Sequence, residues 1–388
     1  MLSALAGLKV VDLSRVLAGP LCTQILADHG AEVFKIEPPQ GDETRSYGPP
    51  FVEGSGAYYY GINRNKKTLT LDLKQPEARE VVARLLEGAD VLVENFLPGT
   101  MEKWGLGYEQ LAARFPRLIY CRITGFGSDG PLGRLPGYDA VIQAMSGLMS
   151  INGEGVPTRL GVPVVDMSTG LNATIGILLA LAERAKSGRG QQVESCLYDT
   201  GLTLLMPHAF NWMVSGKEPT ALGSAHPNIY PYDKFLAGGR EIYLAVSNDV
   251  QFKRFAAIIG RPGLADDPRY ASNGKRSENR QALRASIEEA LADKDGAALC
   301  TELMAAGVPA GPIHRVSEAL NHPHTAHRGM RVSEGSYHGV GIAQKLSRTP
   351  GAVRTSPRSK GADTREVLEA LGYDAAAIDA LLKKGAAA

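Results

Sequence analysis

The chain is poor in the features that most often announce a function. It has 4 cysteines, 2 tryptophans and, with 42 Lys and Arg against 41 Asp and Glu, a formal charge of only +1 over 388 residues. Cys22, Cys121, Cys196 and Cys300 lie far apart without a C-x-x-C pair, and no secretory apolar segment opens the sequence. A disulfide framework is therefore not expected, and a reducing cytoplasm is. A near-neutral chain has no global field to gather nucleic acid or an anionic membrane, so phosphate binding must come from local clusters and the partner is expected to be small. No apolar run reaches the roughly 18 uncharged residues of a membrane span, which predicts a soluble protein.

Two motifs are also missing. The turn after the first strand-like run, Ser14 to Gly19, lacks the G-x-G-x-x-G fingerprint, so no nicotinamide cofactor is indicated. Gly125 to Gly130 fits that pattern, yet Pro131, Gly133, Pro136 and Gly137 follow where the fingerprint needs a helix, and the segment reads as a loop. His322, His324 and His327 have no acidic or cysteine partner close by, so no metal site is expected and a surface turn around Pro323 accounts for them.

What is present is a hydrophobic content of 44% with 44 glycines, enough for a sizeable core and two domains. The first hundred or so residues alternate strand and helix: strands at 9–13, 31–36, 68–73, 91–94 and 118–124, helices at 20–29 and 75–87. That is the pattern of an α/β fold with a parallel sheet covered on both faces. A strand at 192–195 follows, then a Gly-, Pro-, Ser- and His-rich stretch at 215–232 that suits a linker. Beyond it a strand at 241–246, helices at 250–259, 279–291 and 296–306, and a strand-like 313–316 predict a smaller α/β domain over 233–316. Residues 317–388 read as a further linker ending in a helix near 364–371.

Asp166 stands out. It lies in Gly161-Val-Pro-Val-Val-Asp166-Met-Ser-Thr-Gly170, just before an apolar segment, 171–186, that reads as a core helix ended by Gly188-Arg-Gly190. A carboxylate there is either an N-cap, worth on the order of 1 kcal/mol, or a nucleophile.

A series of short pieces favours the nucleophile: Leu5 to Leu13, Ala18-Gly-Pro20, Gly30 to Glu37, Gly41-Asp42, Asn65-Lys-Lys67, Val93 to Phe96 with Pro98-Gly99, Gly125-Phe-Gly127 and Gly188 to Gln191. In this order and spacing the chain resembles the class III (CaiB/BaiF, formyl-CoA transferase-like) coenzyme A transferases, a family that also includes α-methylacyl-CoA racemases. The resemblance implies a Rossmann-like large domain built from both ends of the chain, its first part at 1–214, and two chains interlocked as a homodimer. It implies Asp166 as the residue that attacks the acyl-CoA, and no permanently bound cofactor, the coenzyme A thioester being a substrate. It carries over Val16, Leu17 and Ala18 as contacts to pantetheine and thioester, Leu71 to Lys74 beside adenine, and Asn95, Phe96 and Lys103 as further coenzyme contacts.

Residue chemistry adds Arg64, Lys66, Lys67 and Lys74 as candidate phosphate-binding cations. Arg45, Tyr58 to Tyr60, Tyr138 and His226 are candidates for the acyl or acceptor carboxylate. Leu17 and Lys103 replace a glutamine and an arginine of formyl-CoA transferase, and no Gly-rich flap is found, so formate and oxalate chemistry is not expected. Racemases of the family carry histidine where Tyr138 stands, and a phenol of pKa about 10 is a poor reversible base near neutrality. The expected activity is transfer of CoA, with succinyl-CoA as donor and a diacid such as itaconate, malate or glutarate as acceptor. A racemase and a non-catalytic acyl-CoA binder are the alternatives.

Overall fold

In the computed structural model, which describes residues 3–335 and 337–388, the chain forms two compact units. The first comprises Met1–Leu148, Leu160–Leu205 and Pro323–Ala388, the second Met149–Arg159 and Met206–His322. These limits differ from those expected: the second unit begins at Met206, ahead of the Gly- and Pro-rich stretch, and takes in the short excursion at 149–159 as well. Gly153 and Gly155 in that excursion hydrogen-bond with Gly223 and Ala221, which explains why the two segments travel together.

The first unit is built on six strands: β1 (Lys9–Asp12), β2 (Glu32–Glu37), β3 (Lys66–Thr70), β4 (Val91–Glu94), β5 (Ile119–Thr124) and β6 (Gln192–Cys196). Their spatial order is β3-β2-β1-β4-β5-β6, all parallel, with Val10 opposite Val33 on one side and Val91 on the other. Strands buried on both faces need continuous apolar runs, which is why β1, β4 and β5 are almost entirely buried. On one face, helix α1 (Ala18–Asp28) packs against the long helix Val164–Ser187. The other face is covered by α2 (Pro76–Leu86), whose Val81, Val82, Leu85 and Leu86 join Leu69, Leu92 and Tyr120 of the sheet in one core. Leu368 and Ile378, from helices at Thr364–Ala370 and Ala375–Lys383, complete that core.

Between β5 and β6 run α3 (Asp139–Met145) and α4 (Val164–Ser187), followed after β6 by α5 (Leu197–Thr203). One expectation needs correction here. The core helix starts at Val164, so Asp166 lies inside its first turn. By length and composition α4 is apolar enough to cross a membrane, with Asp166 and Glu183 bounding its longest uncharged run. It packs against α1 and β6, with Val165, Ala173, Ile177 and Ala180 buried.

The second unit has a three-stranded antiparallel sheet, β7 (Tyr232–Ala237), β8 (Arg240–Ala245) and β9 (Ala310–Pro312), in the order β9-β8-β7. Helices α6 (Asp249–Ile258), α7 (Arg280–Leu291) and α8 (Gly296–Ala305) share a core with it through Phe252, Phe255, Leu283, Ile287, Leu299 and Leu303. The last strand, expected at 313–316, falls at Ala310–Pro312 because those residues pair with Leu244, Tyr243 and Ile242; Val316 instead opens a helix, Val316–Asn321. The turn expected around Pro323 is a short helix, Pro323–His327.

Candidate active site

In an open parallel sheet, ligands bind outside the carboxyl ends of the strands where the strand order reverses. Here the reversal lies between β1 and β4, and the segments leaving those strands, 13–17 and 95–98, meet there. Asn95 grips the first of them from both sides: Arg15 N–H donates to its Oδ1 at 2.9 Å, and its Nδ2 donates to the Arg15 carbonyl at 2.8 Å. The Lys35 ammonium donates to the Ser14 carbonyl at 3.0 Å. Between these anchors and α1, Val16 takes φ +68°. A β-branched residue in the left-handed region stores on the order of 1–3 kcal/mol of strain, which persists only where its neighbours are fixed.

Those anchors rest on a buried charge network. Asp12, Lys35 and Lys66 are fully buried, with Lys66 Nζ 3.1 Å from Asp12, 2.9 Å from the Pro20 carbonyl and 2.9 Å from Asn63 Oδ1. Lys35 pairs with Asp42 at 2.9 Å. Burial opposes ionisation of Asp12, but Lys66, Lys35 and the Ser14 and Thr23 hydroxyls outweigh it and hold the carboxyl below the usual range.

The nucleophile candidate sits in different surroundings. Pro163, which precedes α4, caps nothing with its side chain. The cap comes from α3: the Oδ2 of buried Asp139 accepts from the Val165 N–H at 2.8 Å and the Asp166 N–H at 3.2 Å. The N-cap role considered for Asp166 thus belongs to Asp139. No cation pairs with Asp166 among the described residues, and burial together with the neighbouring Asp139 charge pushes its carboxyl up to about 7. Tyr58 is pushed up to about 12 by burial and by the charges of Asp166 and Asp139. One turn further along α4, Gly170 lets the helix close on α1: a Cβ there would come within 2.6 Å of the Ala18 carbonyl oxygen.

Asp166 lines a cavity of about 240 Å³ together with Val16, Leu17, Ala18, Asn95 and Tyr138. A second cavity of about 230 Å³ is lined by Leu71, Asp72, Leu73, Lys74 and Trp104. Arg15 and Phe96 are walls of both. The two cavities are therefore neighbours that share two walls, with Lys74 lining one and Asp166 the other.

Of the residues expected at the site, Asp166, Val16, Leu17, Ala18, Asn95, Phe96 and Tyr138 line the first cavity, and Leu71, Lys74 and Phe96 the second. Lys103 is exposed and lines neither. Three of the four candidate phosphate cations are committed elsewhere. Arg64 pairs with Asp28 at 2.7 Å, Lys66 belongs to the buried network, and Lys67 bridges Glu32 at 3.2 Å and Glu366 at 3.4 Å. Arg45 is not free for a substrate carboxylate: it pairs with Glu37 at 2.6 Å and donates to Ser55 at 2.9 Å and to the Tyr59 hydroxyl at 2.7 Å. His226 lies in the second unit, where its Nδ1 accepts from the Asn228 N–H at 3.0 Å.

Sequence reasoning missed Asp139 and Arg15. Arg15 lies over the Phe96 ring at 5.1 Å and reaches Glu43 at 3.3 Å, making it the cation nearest both cavities by lining. A signal for it existed, since a basic residue in the turn after the first strand of such a sheet faces the ligand crevice.

Residues 5–364 match the family model described as CoA-transferase family III. A succinate–glutarate CoA-transferase of Agrobacterium fabrum is 43% identical over 337 residues, 84% of each chain. A succinyl-CoA:mesaconate CoA-transferase of Haloarcula hispanica is 40% identical over 340 residues, 85% of each chain. A solved structure of a CaiB/BaiF family protein from Brucella suis has a TM-score of 0.86 and 40% identity, covering 96% of this chain and 100% of that one.

Proposed function

We propose, since this chain belongs to CoA-transferase family III, that it moves coenzyme A from succinyl-CoA to a small dicarboxylic acid, with Asp166 as the covalent carrier. The observation that carries the reading is Asp166 itself: a carboxyl pushed up to about 7, without a paired cation among the described residues, in the wall of the cavity lined by Val16, Leu17 and Ala18. A carboxylate that basic is a better nucleophile than an ordinary aspartate.

The steps follow from that placement. The Asp166 carboxylate attacks the donor thioester carbonyl, the C–S bond breaks, and CoA leaves as thiolate from a mixed anhydride. The thiolate attacks the aspartyl carbonyl, succinate departs, and an aspartyl-CoA thioester remains. The acceptor carboxylate attacks this thioester and expels the thiolate again. The thiolate then takes the acceptor acyl group and returns Asp166 to its carboxylate. Each tetrahedral intermediate carries an oxyanion that N–H donors must stabilise; α1 begins at Ala18 with no side-chain cap, which leaves first-turn amides at this wall.

Dicarboxylate specificity is supported by the relatives named for glutarate and mesaconate, both five-carbon diacids. Glutarate is the first acceptor to test, with itaconate and malate beside it. A homodimer is supported by an exposed apolar stripe on α4, where Leu171, Ile175 and Leu179 are 42%, 54% and 66% exposed. Cytoplasmic residence is the remaining part of the proposal, supported by four buried cysteines that form no disulfide among the described residues.

The test is mass spectrometry of the CoA pool after incubation in D2O with succinyl-CoA, a 2-methylacyl-CoA and a mixture of short mono- and dicarboxylic acids. New diacyl-CoA masses that require Asp166 support transfer. Deuterium at the α-carbon of an otherwise unchanged 2-methylacyl-CoA means a racemase instead and overturns the reading.

A further inference from the structure

We propose that Asp139 is a positioning residue for the transfer: it locks the first turn of α4 through the Val165 and Asp166 peptide N–H groups, and its charge favours every step that carries charge off Asp166. This rests on the reading of Asp166 as the nucleophile.

The geometry leaves Asp139 little freedom. One oxygen holds both peptide N–H groups, at 2.8 and 3.2 Å; the other accepts from Gln143 Nε2 at 2.5 Å. Gln143 is itself fully buried, and its Oε1 accepts from the Leu160 N–H at 2.9 Å, so the chain leading into α4 is tied to α3 at both Leu160 and Val165. The amides at a helix N-terminus would ordinarily steady a carboxylate in the first turn. By occupying two of them, Asp139 withholds that help from Asp166 and sets a second negative charge beside it instead.

The consequence differs between ground state and transition state. Before attack, two carboxylates lie near each other in a partly desolvated site. As the Asp166 oxygen bonds to the thioester carbon, its charge passes to the thioester oxygen and then leaves with the sulfur. The acylated Asp166 is neutral in both anhydrides and in the aspartyl-CoA thioester. Repulsion from Asp139 is thus relieved as the reaction proceeds, and a repulsion weaker in the transition state than in the ground state accelerates the chemical step. The other titratable or charged groups around the pair are Tyr58, Tyr138 beside Asp139, and Arg15 and Glu43 paired with each other on the cavity wall. Burial and Asp139 are the two causes that set Asp166.

The test uses the full-length protein and two variants, Asp139→Asn and the double variant D139N/Q143E. In the double variant, the carboxylate introduced at position 143 still accepts from Leu160 N–H and from the new amide, but the charge sits one side chain further from Asp166. Two readouts are taken. Titration of the Asp166 carboxyl by difference infrared spectroscopy against Asp166→Asn needs no turnover. The pH profile of kcat/KM for succinyl-CoA with glutarate reports the chemistry. We expect the Asp166 titration, near 7 in the unaltered protein, to move down by at least about one pH unit in D139N, and about half-way back in the double variant. We expect kcat at pH 8.5 to fall roughly 10- to 100-fold in D139N with KM for succinyl-CoA changed less than about threefold. An unmoved infrared titration overturns the proposal, and so does a loss confined to KM and thermal stability, which marks a purely structural cap. A shifted titration in a protein that transfers no CoA upholds the Asp139–Asp166 coupling and refutes the transferase reading instead.

Discussion

Asp12 and Asp166 are two aspartates of the same unit, one just before the turn at 13–17 and the other in the wall of the cavity that turn lines, and they have opposite surroundings. Asp12, closing β1, is fully buried and meets two ammonium groups and two hydroxyls, which hold it ionised. Asp166, in the first turn of α4, is partly exposed, meets no paired cation among the described residues, and has an anion at its back. Burial raises both; the partners decide the outcome. The first carboxylate is spent on holding the fold, while the second keeps its reactivity at a cost in stability.

Several substitutions break or sharpen that contrast. The largest effect is expected from Asp166→Asn, which removes the nucleophile: CoA exchange, followed by isotope scrambling between succinate and succinyl-CoA, falls by about 10⁴-fold or more, and hydroxylamine no longer labels the α4 peptide. Asp12→Asn leaves Lys66 and Lys35 with one buried carboxylate fewer and is expected to destabilise by roughly 3–5 kcal/mol in urea unfolding.

The pH dependence separates the same two residues. A carboxyl whose native value lies above its unfolded value binds more protons when folded, so its penalty is absent below about pH 4, grows between there and 7, and is complete above. Asp166→Asn is therefore expected to raise stability at pH 8 by roughly 1–4 kcal/mol and to give no gain at pH 3.5. The activity limb has the opposite sense, rising through about pH 7 as the carboxylate forms. Equal gains at both pH values would mean the charge is not the cause. The smallest expected effect is at Lys74, the one candidate phosphate cation that lines a cavity. Lys74→Ala should raise KM for succinyl-CoA roughly 3- to 10-fold, leave the melting temperature unchanged, and have no effect with a pantetheine thioester that lacks the nucleotide.

Much of the sheet is legible in the sequence. Each strand of the parallel sheet overlaps a run read as a strand, such as Lys9 to Leu13 or Val91 to Glu94, whose β-branched and apolar residues fit a sheet covered on both faces. What escapes are interactions between residues remote in sequence. Asp139 caps a helix that begins 25 residues later, and its own short helix follows a Gly- and Pro-rich loop that hides the helical period. Lys66 and Lys67 look alike in sequence, yet one points into the buried network and the other bridges two half-exposed glutamates. Lysines are seldom fully buried, so a pattern reading assigns both to the surface. Arg45 is drawn to the substrate for the same reason: an arginine among tyrosines suits a carboxylate, and the carboxylate it has is Glu37. The helix starting at Val164 reads too short in sequence because Ser168, Thr169 and Gly170 interrupt the apolar pattern at its start.

Gly170 gives the experimenter a ruler. The helix bearing the nucleophile touches the turn bearing Ala18 with no side chain between them, so their separation is set by a missing methyl group. Gly170→Ala and Gly170→Ser would act as graded spacers, lengthening that gap by steps of a few tenths of an ångström while leaving Asp166 and the turn chemically intact. Reaction rate plotted against spacer size would then measure how much misalignment the acyl transfer tolerates, a quantity that removing a reacting group cannot supply.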